Sequence, residues 1–328
     1  MTYGGEVFPS RQDIRICFAH PAYQMQGRFE ARQSGLASFQ VFTREELNLR
    51  IADADVLVVS GMWRNELIEH AARLRFIQSI SAGMDQYAKD ALRERGIRLA
   101  SAAGVNSHAV AEHAMGLILA MARRLPEARD NQRKHLWRGM IGDLATREDE
   151  LGGKTLVIVG LGRIGGRLAR LARAFDMRVI GIRRDPAGGA GDAHEVHGLA
   201  GLGAVLPQAD FVALTCPLTP ETERVIDAGA LASMRSSAFL VNVARGRCVD
   251  EPALIEALRR GGIAGAALDC TVDEPLPDGS PLWDMANVFI TPHTAGETRR
   301  YEDVILDYLM DNLERLWRGE AGLRNQIV

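Results

Sequence analysis

The stretch TLVIVGLGRIGGRLARLA, residues 155–172, decides the fold of this chain. It opens with a β-branched run, continues with glycines in a G-x-G-x-x-G pattern, and ends with helical periodicity. The glycines alone are a weak signal, but a strand before them and a helix after them indicate a dinucleotide-binding turn. The first glycine permits a tight turn, the second admits a pyrophosphate, and the third allows close helix–strand packing. We therefore predict cofactor contacts at the helix start from Gly160, Gly162, Arg163, Ile164 and Gly165.

The next apolar run, RVIGI at 178–182, is followed by Arg183 and Arg184. A carboxylate at this position would bind the ribose hydroxyls of NAD and repel a 2′-phosphate, whereas arginine reverses both effects. A charge-assisted contact contributes about 1.5–3 kcal/mol. The two arginines therefore predict NADP as the favoured cofactor and NAD as the less favoured one. In the alternative, the arginines are solvated loop residues and Asp185 contacts the ribose instead.

Residues 106–293 have the pattern of a complete dinucleotide-binding domain. Six short apolar runs alternate with room for helices: TLVIVG, RVIGI, FVALT, AFLVNV, GAALD and VFIT. We predict a long helix at about 107–125, an irregular polar stretch at 126–150 and a mobile, Gly-rich surface loop at 187–201. His194 and His197 lie in that loop without a third ligand, so we predict no metal site.

Residues 1–105 and 294–328 are predicted to form a second, discontinuous domain that binds the substrate. Strand-like runs at 14–20, 55–60 and 74–80 alternate with amphipathic pieces, and the chain closes with a helical tail from 301. Strands that alternate with helices indicate parallel sheets. The predicted fold is therefore two doubly wound, Rossmann-like α/β domains with an active-site cleft between them.

The composition argues against several classes of partner. The net charge of −3 gives no electrostatic reason to expect nucleic acid or an acidic membrane surface. The longest apolar run, AVAEHAMGLILAMA, is too short to span a bilayer, and no signal peptide is evident at the start. No two cysteines share a CxxC spacing, which favours reduced core thiols and a cytoplasmic protein. The cysteines are Cys17, Cys216, Cys248 and Cys270.

Charged side chains follow three of the predicted strands. Arg245 follows AFLVNV, Asp269 and Glu274 follow GAALD, and His293 follows VFIT. Ligands bind beyond the carboxyl ends of strands in open α/β sheets, so we expect these side chains to converge on one site. A guanidinium binds oxygens in a plane, and an imidazole exchanges protons near neutral pH.

The chain resembles the D-isomer-specific 2-hydroxyacid dehydrogenase family over nearly its whole length. Seven segments match the family pattern in order, which is far more specific than a lone glycine motif. They are SAGMDQY, NSHAVAEHAMGLILAMARRLP, GKTLVIVGLGRIG, CPLTPET, LVNVARG, LDCTVDEPLP and TPHTAGET. One departure is Cys216, which stands where a histidine is common in the family.

The resemblance implies a catalytic role for three residues. Arg245 would hold the carboxylate and carbonyl oxygen of the substrate and stabilise developing negative charge. His293 would donate a proton to that oxygen as hydride reaches the carbon, and Glu274 would keep the imidazole protonated. Asp269 would lie by the nicotinamide ribose or orient the catalytic groups.

The resemblance also implies binding residues outside this set. Backbone N–H groups of Ala82 and Gly83 would receive the substrate carboxylate. Trp63 and Arg64 would shape the substrate pocket, with ordinary packing or surface exposure as the alternative. Further cofactor contacts are expected from Cys216, Pro217, Thr222, Val243, Ala244, Asp269, His293 and Gly296.

These expectations define one leading function and two alternatives. The leading one is NADPH-favoured reduction of a small 2-oxo acid, such as glyoxylate or hydroxypyruvate, to a D-2-hydroxy acid. One alternative is the same chemistry on a larger aromatic or branched 2-oxo acid. The other is a dinucleotide-sensing binding module, as in the C-terminal-binding-protein corepressors that share this fold. The resemblance further implies a homodimer formed through the long helix.

Overall fold

A computed structural model describes residues 8–328 of the chain. The chain divides into two compact units, one formed by residues up to Asn106 together with Thr298–Val328, the other by Ser107–Glu297. Each unit is an open parallel sheet with helices around it. The fold class predicted from the sequence is confirmed. The assignment of the units as substrate and dinucleotide domains stays a proposal.

The strands, in chain order, are β1 (Arg15–Ala19), β2 (Ala37–Val41), β3 (Val56–Val59), β4 (Phe76–Ser79), β5 (Arg98–Ala100), β6 (Thr155–Val159), β7 (Arg178–Ile182), β8 (Glu195–His197), β9 (Phe211–Leu214), β10 (Phe239–Asn242), β11 (Gly265–Leu268) and β12 (Val288–Ile290). The α-helices are α1 (Met25–Glu30), α2 (Arg44–Arg50), α3 (Leu67–His70), α4 (Lys89–Glu94), α5 (Ser107–Ala122), α6 (Leu125–Arg133), α7 (Arg163–Ala174), α8 (Leu202–Val205), α9 (Ala228–Ser233), α10 (Glu251–Arg259) and α11 (Tyr301–Trp317). No helix in the described part of the chain is both long and apolar enough to cross a membrane.

The first unit contains a five-stranded sheet in the order β2-β1-β3-β4-β5. Its central strands β3 and β4 are wholly buried, which explains their continuous apolar sequence. The edge strands β2 and β5 were not predicted, because they are short and β2 is only partly buried. A buried polar contact, from the Nδ2 of Asn312 to the Oε1 of Gln78 at 2.9 Å, fastens α11 to β4. Apolar packing alone would leave the register of this helix less well specified.

The second unit contains a seven-stranded sheet in the order β12-β11-β10-β9-β6-β7-β8. Strand β6 pairs with β7 on one side and with β9 on the other, so the strand order reverses at β6. Ligands of open α/β sheets bind at such a reversal. The Gly-rich turn that follows β6 therefore occupies the position where a dinucleotide is expected.

Two local predictions in this unit are wrong. The predicted 187–201 loop contains β8, whose Glu195 and Val196 lie opposite Ile180 and Gly181 of β7. All three residues of β8 are partly exposed, so the strand lacks an apolar signature and depends on pairing with β7.

The helix predicted at about 107–125 is present as α5, which ends at Ala122, but the stretch predicted to be irregular at 126–150 contains most of α6. Arg124 adopts a left-handed conformation with φ of +51°, and α6 begins directly after it. Pro126 opens the second helix instead of following the first, because proline is well tolerated in a first turn, where no N–H is needed.

Candidate active site

The turn after β6 has the geometry of a phosphate-binding cradle. Gly160 has φ of +104°, and a Cβ there would lie 2.5 Å from the backbone N of Cys216. A Cβ on Gly165 would lie 2.3 Å from the carbonyl oxygen of Gly160. Gly162, the residue directly before α7, has no heavy atom within 4 Å of its Cβ position. Gly160 and Gly165 thus close the turn, while Gly162 leaves open space at the N-terminus of α7. Such a space fits the pyrophosphate of a dinucleotide.

The two arginines after β7 differ in their surroundings. The Nη1 of Arg183 lies 3.3 Å from the carbonyl oxygen of Gly188 and 3.0 Å from that of Gly189, so this side chain braces the following turn. Arg184 is exposed. Asp185 accepts a hydrogen bond from the N–H of Ala187 at 3.0 Å and caps the same turn.

The loop after β9 lies beside the cradle, as the contact between Cys216 and the Gly160 position shows. Thr222 ties this loop together, because its hydroxyl donates to the carbonyl oxygen of Pro217 at 2.6 Å and accepts from the N–H of Thr219 at 2.7 Å. Its neighbour Glu221 has a pKa below the ordinary value, mainly through a hydrogen bond from Thr219 and partly through the charge of Arg184. Arg184 therefore acts electrostatically on this loop.

Cys216 is a buried thiol. A hydrogen bond with Cys248 and burial both raise the pKa of Cys216. A protonated thiol is a poor nucleophile, so Cys216 contributes packing beside the cradle.

The loop that carries Arg245 is held by a buried asparagine that the sequence reasoning missed. Asn242 ends β10 and is 1% exposed. Its Oδ1 accepts from the N–H of Ala244 at 3.0 Å, and its Nδ2 donates to the carbonyl oxygen of Arg245 at 3.0 Å. Val243 and Ala244 are buried, and Arg245 is partly buried. The sequence signal that could have revealed this role is a polar residue near the end of the apolar run AFLVNV.

Gly246 is a second residue that the sequence reasoning missed. A Cβ on Gly246 would lie 2.0 Å from the carbonyl carbon and oxygen of Thr271, so only glycine permits this approach. The Arg245 loop and the loop that leads to Glu274 thereby pass backbone against backbone. Because the two loops lie this close, the charge of Arg245 contributes to lowering the pKa of Glu274.

Asp269 organises the turn that carries His293. Its side chain is 2% exposed, and its Oδ1 accepts from the hydroxyl of Thr291 at 2.6 Å and the N–H of Thr294 at 3.0 Å. Its Oδ2 accepts from the N–H of Ala295 at 3.1 Å. These contacts favour the orienting role over a ribose contact. Gly296 follows directly in this turn and is partly buried.

His293 and Glu274 form the predicted pair. The Nδ1 of His293 lies 2.7 Å from the Oε2 of Glu274, and both side chains are solvent-accessible, at 43% and 39%. Burial alone would raise the pKa of Glu274. The hydrogen bond and charge of His293, the N–H of Thr271 and the charge of Arg245 outweigh burial and lower it. Glu274 therefore takes up its proton at a lower pH than an ordinary glutamate does, so the carboxylate form that pairs with His293 extends to lower pH.

The residues predicted in the first unit have different environments. Ala82 is exposed and Gly83 partly buried in the loop that follows β4. Trp63 is fully buried, packs against Tyr87 with a centroid distance of 5.6 Å, and donates from Nε1 to Asn65. Trp63 therefore has the alternative role of ordinary packing, because an indole with no exposed surface is part of the hydrophobic core. An aromatic residue directly after a strand fits either environment by sequence pattern alone.

Comparison with known proteins shows the family of the chain. The family profile described as "D-isomer specific 2-hydroxyacid dehydrogenase, NAD binding domain" matches residues 115–295. Glyoxylate/hydroxypyruvate reductase B of Pectobacterium carotovorum is 37% identical over 274 residues, which cover 83% of this chain and 85% of that protein. D-3-phosphoglycerate dehydrogenase of Methanocaldococcus jannaschii is 36% identical over 282 residues, or 85% of this chain, but the chain spans only 53% of that relative.

A solved structure gives the same result. A D-isomer specific 2-hydroxyacid dehydrogenase family protein from Aeromonas salmonicida superposes with a TM-score of 0.85 at 28% identity, covering 97% of this chain and 99% of that one. The fold and the cradle define a dinucleotide-binding protein of the oxidoreductase class. The chain belongs to the D-isomer specific 2-hydroxyacid dehydrogenase family.

Proposed function

We propose that the protein reduces a small 2-oxo acid to the corresponding D-2-hydroxy acid, with NADPH favoured over NADH. The observation that carries the proposal is the His293–Glu274 pair, 2.7 Å apart, on a turn beside the Arg245 loop in a unit that also contains the cradle. Glyoxylate and hydroxypyruvate are the leading substrates. The relatives named for them support this choice.

The proposed chemistry needs a proton, a hydride and a site for negative charge. A bound reduced nicotinamide supplies the hydride. His293 directs Nδ1 to Glu274 and thereby leaves Nε2 to donate a proton to the carbonyl oxygen of the substrate. Arg245 stabilises the charge that develops on this oxygen before the proton arrives. The ionised Glu274 stabilises the imidazolium, and the reverse reaction returns the proton to Nε2.

We retain Arg245, Ala82 and Gly83 as the proposed substrate-binding residues, and we leave out Trp63 because it is buried in the core. Direct assay separates the proposed function from its alternatives. Reduced-cofactor absorbance would be followed with NADPH or NADH and glyoxylate, hydroxypyruvate, pyruvate, phenylpyruvate or 2-oxoisocaproate. Fast turnover of glyoxylate and hydroxypyruvate would support the proposal. Preference for phenylpyruvate or 2-oxoisocaproate would instead support the alternative of a larger 2-oxo acid as substrate. Dinucleotide binding without any turnover would instead point to the sensing module.

The proposed preference for NADPH depends mainly on Arg184. Arg184 is exposed and acts on the loop beside the cradle, whereas Arg183 braces the turn after β7. We expect Arg183→Asp with Arg184→Ala to lower the NADPH/NADH ratio of kcat/KM by about one to two decades, because each charge-assisted contact contributes about 1.5–3 kcal/mol. Turnover at saturating cofactor should change little.

Single variants sharpen this test. Arg184→Ala alone should cause most of the shift. Arg178→Ala is the matched control, because it removes an exposed arginine at the start of β7 that pairs with Glu195 of β8. An unchanged ratio in the double variant would rule out the arginine clamp and would favour Asp185 as the ribose ligand.

We also propose that the protein is a homodimer. The segment after α6 exposes several large apolar side chains, with Trp137 97% and Met140 100% accessible. Contiguous exposed apolar groups of this kind usually mark an interaction site. The segment follows α6, which comes shortly after α5, the long helix through which the family resemblance places the dimer. The four cysteines are buried thiols that form no disulfide, which supports the cytoplasm as the proposed compartment.

The dimer proposal predicts a change of mass. Trp137→Glu with Met140→Glu should convert a sedimenting species of twice the chain mass into a monomer, because two buried carboxylates at an interface are strongly unfavourable. Leu49→Glu places the same charge on another exposed apolar residue, 83% accessible in α2, and should leave the dimer intact. A monomeric parent protein at micromolar concentration would contradict the proposal.

A further inference from the structure

His113 of α5 contacts the group that holds the His293 turn. Its Nε2 lies 3.0 Å from the hydroxyl of Thr291 and 3.5 Å from the Oδ1 of Asp269. The side chain of His113 is 26% exposed, so this contact is largely shielded from water. The proposed chemistry assigns no task to His113.

The direction of these hydrogen bonds follows from counting protons. The hydroxyl of Thr291 has one proton, and it lies 2.6 Å from an Asp269 oxygen. A carboxylate accepts only, so the hydroxyl donates to Asp269 and must accept from His113. His113 therefore carries a proton on Nε2, and the donors run in one direction from His113 through Thr291 to Asp269.

This relay ends at the backbone directly after the candidate proton donor. Asp269 accepts the N–H groups of Thr294 and Ala295, directly after His293. His293 itself has φ of +55°, a left-handed conformation that costs a residue other than glycine about 1–2 kcal/mol. Such a conformation persists only where the surrounding contacts fix it.

We propose that His113 is a positioning residue for His293: by donating to Thr291 it fixes the Asp269 carboxylate, which holds the His293 turn in its left-handed conformation. The inference rests on the proposed function, in which His293 transfers the proton. It assigns to α5 a part in catalysis that is separate from any part in a dimer. In this proposal His113 acts on His293 through Thr291 and Asp269.

Substitutions at His113 separate positioning from bulk packing. His113→Leu removes the donor at similar size and should lower kcat about tenfold, equivalent to about 1.4 kcal/mol, while the KM for cofactor stays within about twofold. His113→Gln keeps an N–H group at a similar reach and should restore most of the lost turnover. His108→Leu, an exposed histidine of the same helix, is the matched control and should behave as the parent does.

A double-mutant cycle tests the route through Thr291. Thr291→Val removes the hydroxyl at constant shape, so adding His113→Leu should cause little further loss. Additive losses, or equal losses from the Leu and Gln variants, would overturn the proposal. The Gln and Val variants keep the test decisive if His113→Leu fails to fold.

A second readout does not depend on turnover. In protein with ¹⁵N-labelled histidine, the ring resonances of His293 should shift in His113→Leu and Thr291→Val but not in His108→Leu. Unmoved His293 resonances in folded His113→Leu would also overturn the proposal. If the parent reduces no 2-oxo acid, the proposed function fails, while these spectra still decide whether His113 positions the His293 turn.

Discussion

Replacement of His293 by alanine is expected to lower kcat by about 10²–10⁴-fold and to leave the Kd for NADPH nearly unchanged. The imidazole is the only group of the predicted catalytic set that can both donate and accept a proton near neutral pH. Glu274 is ionised and Arg245 remains a cation, so neither replaces it. Steady-state turnover at saturating cofactor, with cofactor binding followed by fluorescence titration, measures the two quantities separately.

Two further variants make the result specific. Glu274→Gln retains a hydrogen-bond partner for Nδ1 but removes the charge that stabilises the imidazolium, so it should lose less activity than His293→Ala. His70→Ala removes an exposed histidine at the end of α3 and should retain parental turnover. Near-parental turnover of His293→Ala would remove this residue from the proton-transfer role.

Local rules made the cradle predictable from the sequence. The tight turn at Gly160 and the packing at Gly165 both need glycine for steric reasons, and the strand and helix on either side have clear periodicity. The edge strand β8 shows the opposite case. Two of its three residues are polar and all three are partly exposed, and they form a strand only because β7 offers unpaired backbone groups. No local pattern contains that information.

In the candidate site too, some residues were predictable from the local sequence and others were not. Arg245, Glu274 and His293 were predicted because they follow apolar strands, whose carboxyl ends lie at one edge of a parallel sheet, and because the family resemblance implies their roles. The roles of Asn242, Gly246 and His113 depend on contacts between distant segments, such as the one that joins His113 to Thr291 across 178 residues. Only the folded chain shows which backbone a side chain reaches.

Gly246→Ala is expected to disrupt the site more severely than its size suggests. The added methyl would lie 2.0 Å from the carbonyl carbon and oxygen of Thr271 and 2.4 Å from the N of Val272. These atoms are backbone and cannot rotate away, so the two loops must separate. Overpacking costs about 1–3 kcal/mol where side chains can yield, and we expect the upper end of this range or more. Urea unfolding measures this loss.

The same separation should lower kcat/KM at least about tenfold, because a displacement of about 1 Å between catalytic groups has effects of up to about 10². Gly203→Ala in α8 is the matched control, since its Cβ position has no heavy atom within 4 Å. That substitution should leave turnover unchanged and stabilise the helix by about 0.5–1 kcal/mol. If Gly246→Ala kept parental stability and kcat/KM, the backbone contact would not hold the loops of Arg245 and Glu274 together. If it lost stability alone, Gly246 would serve the fold, and the mutual placement of the two catalytic loops would have another cause.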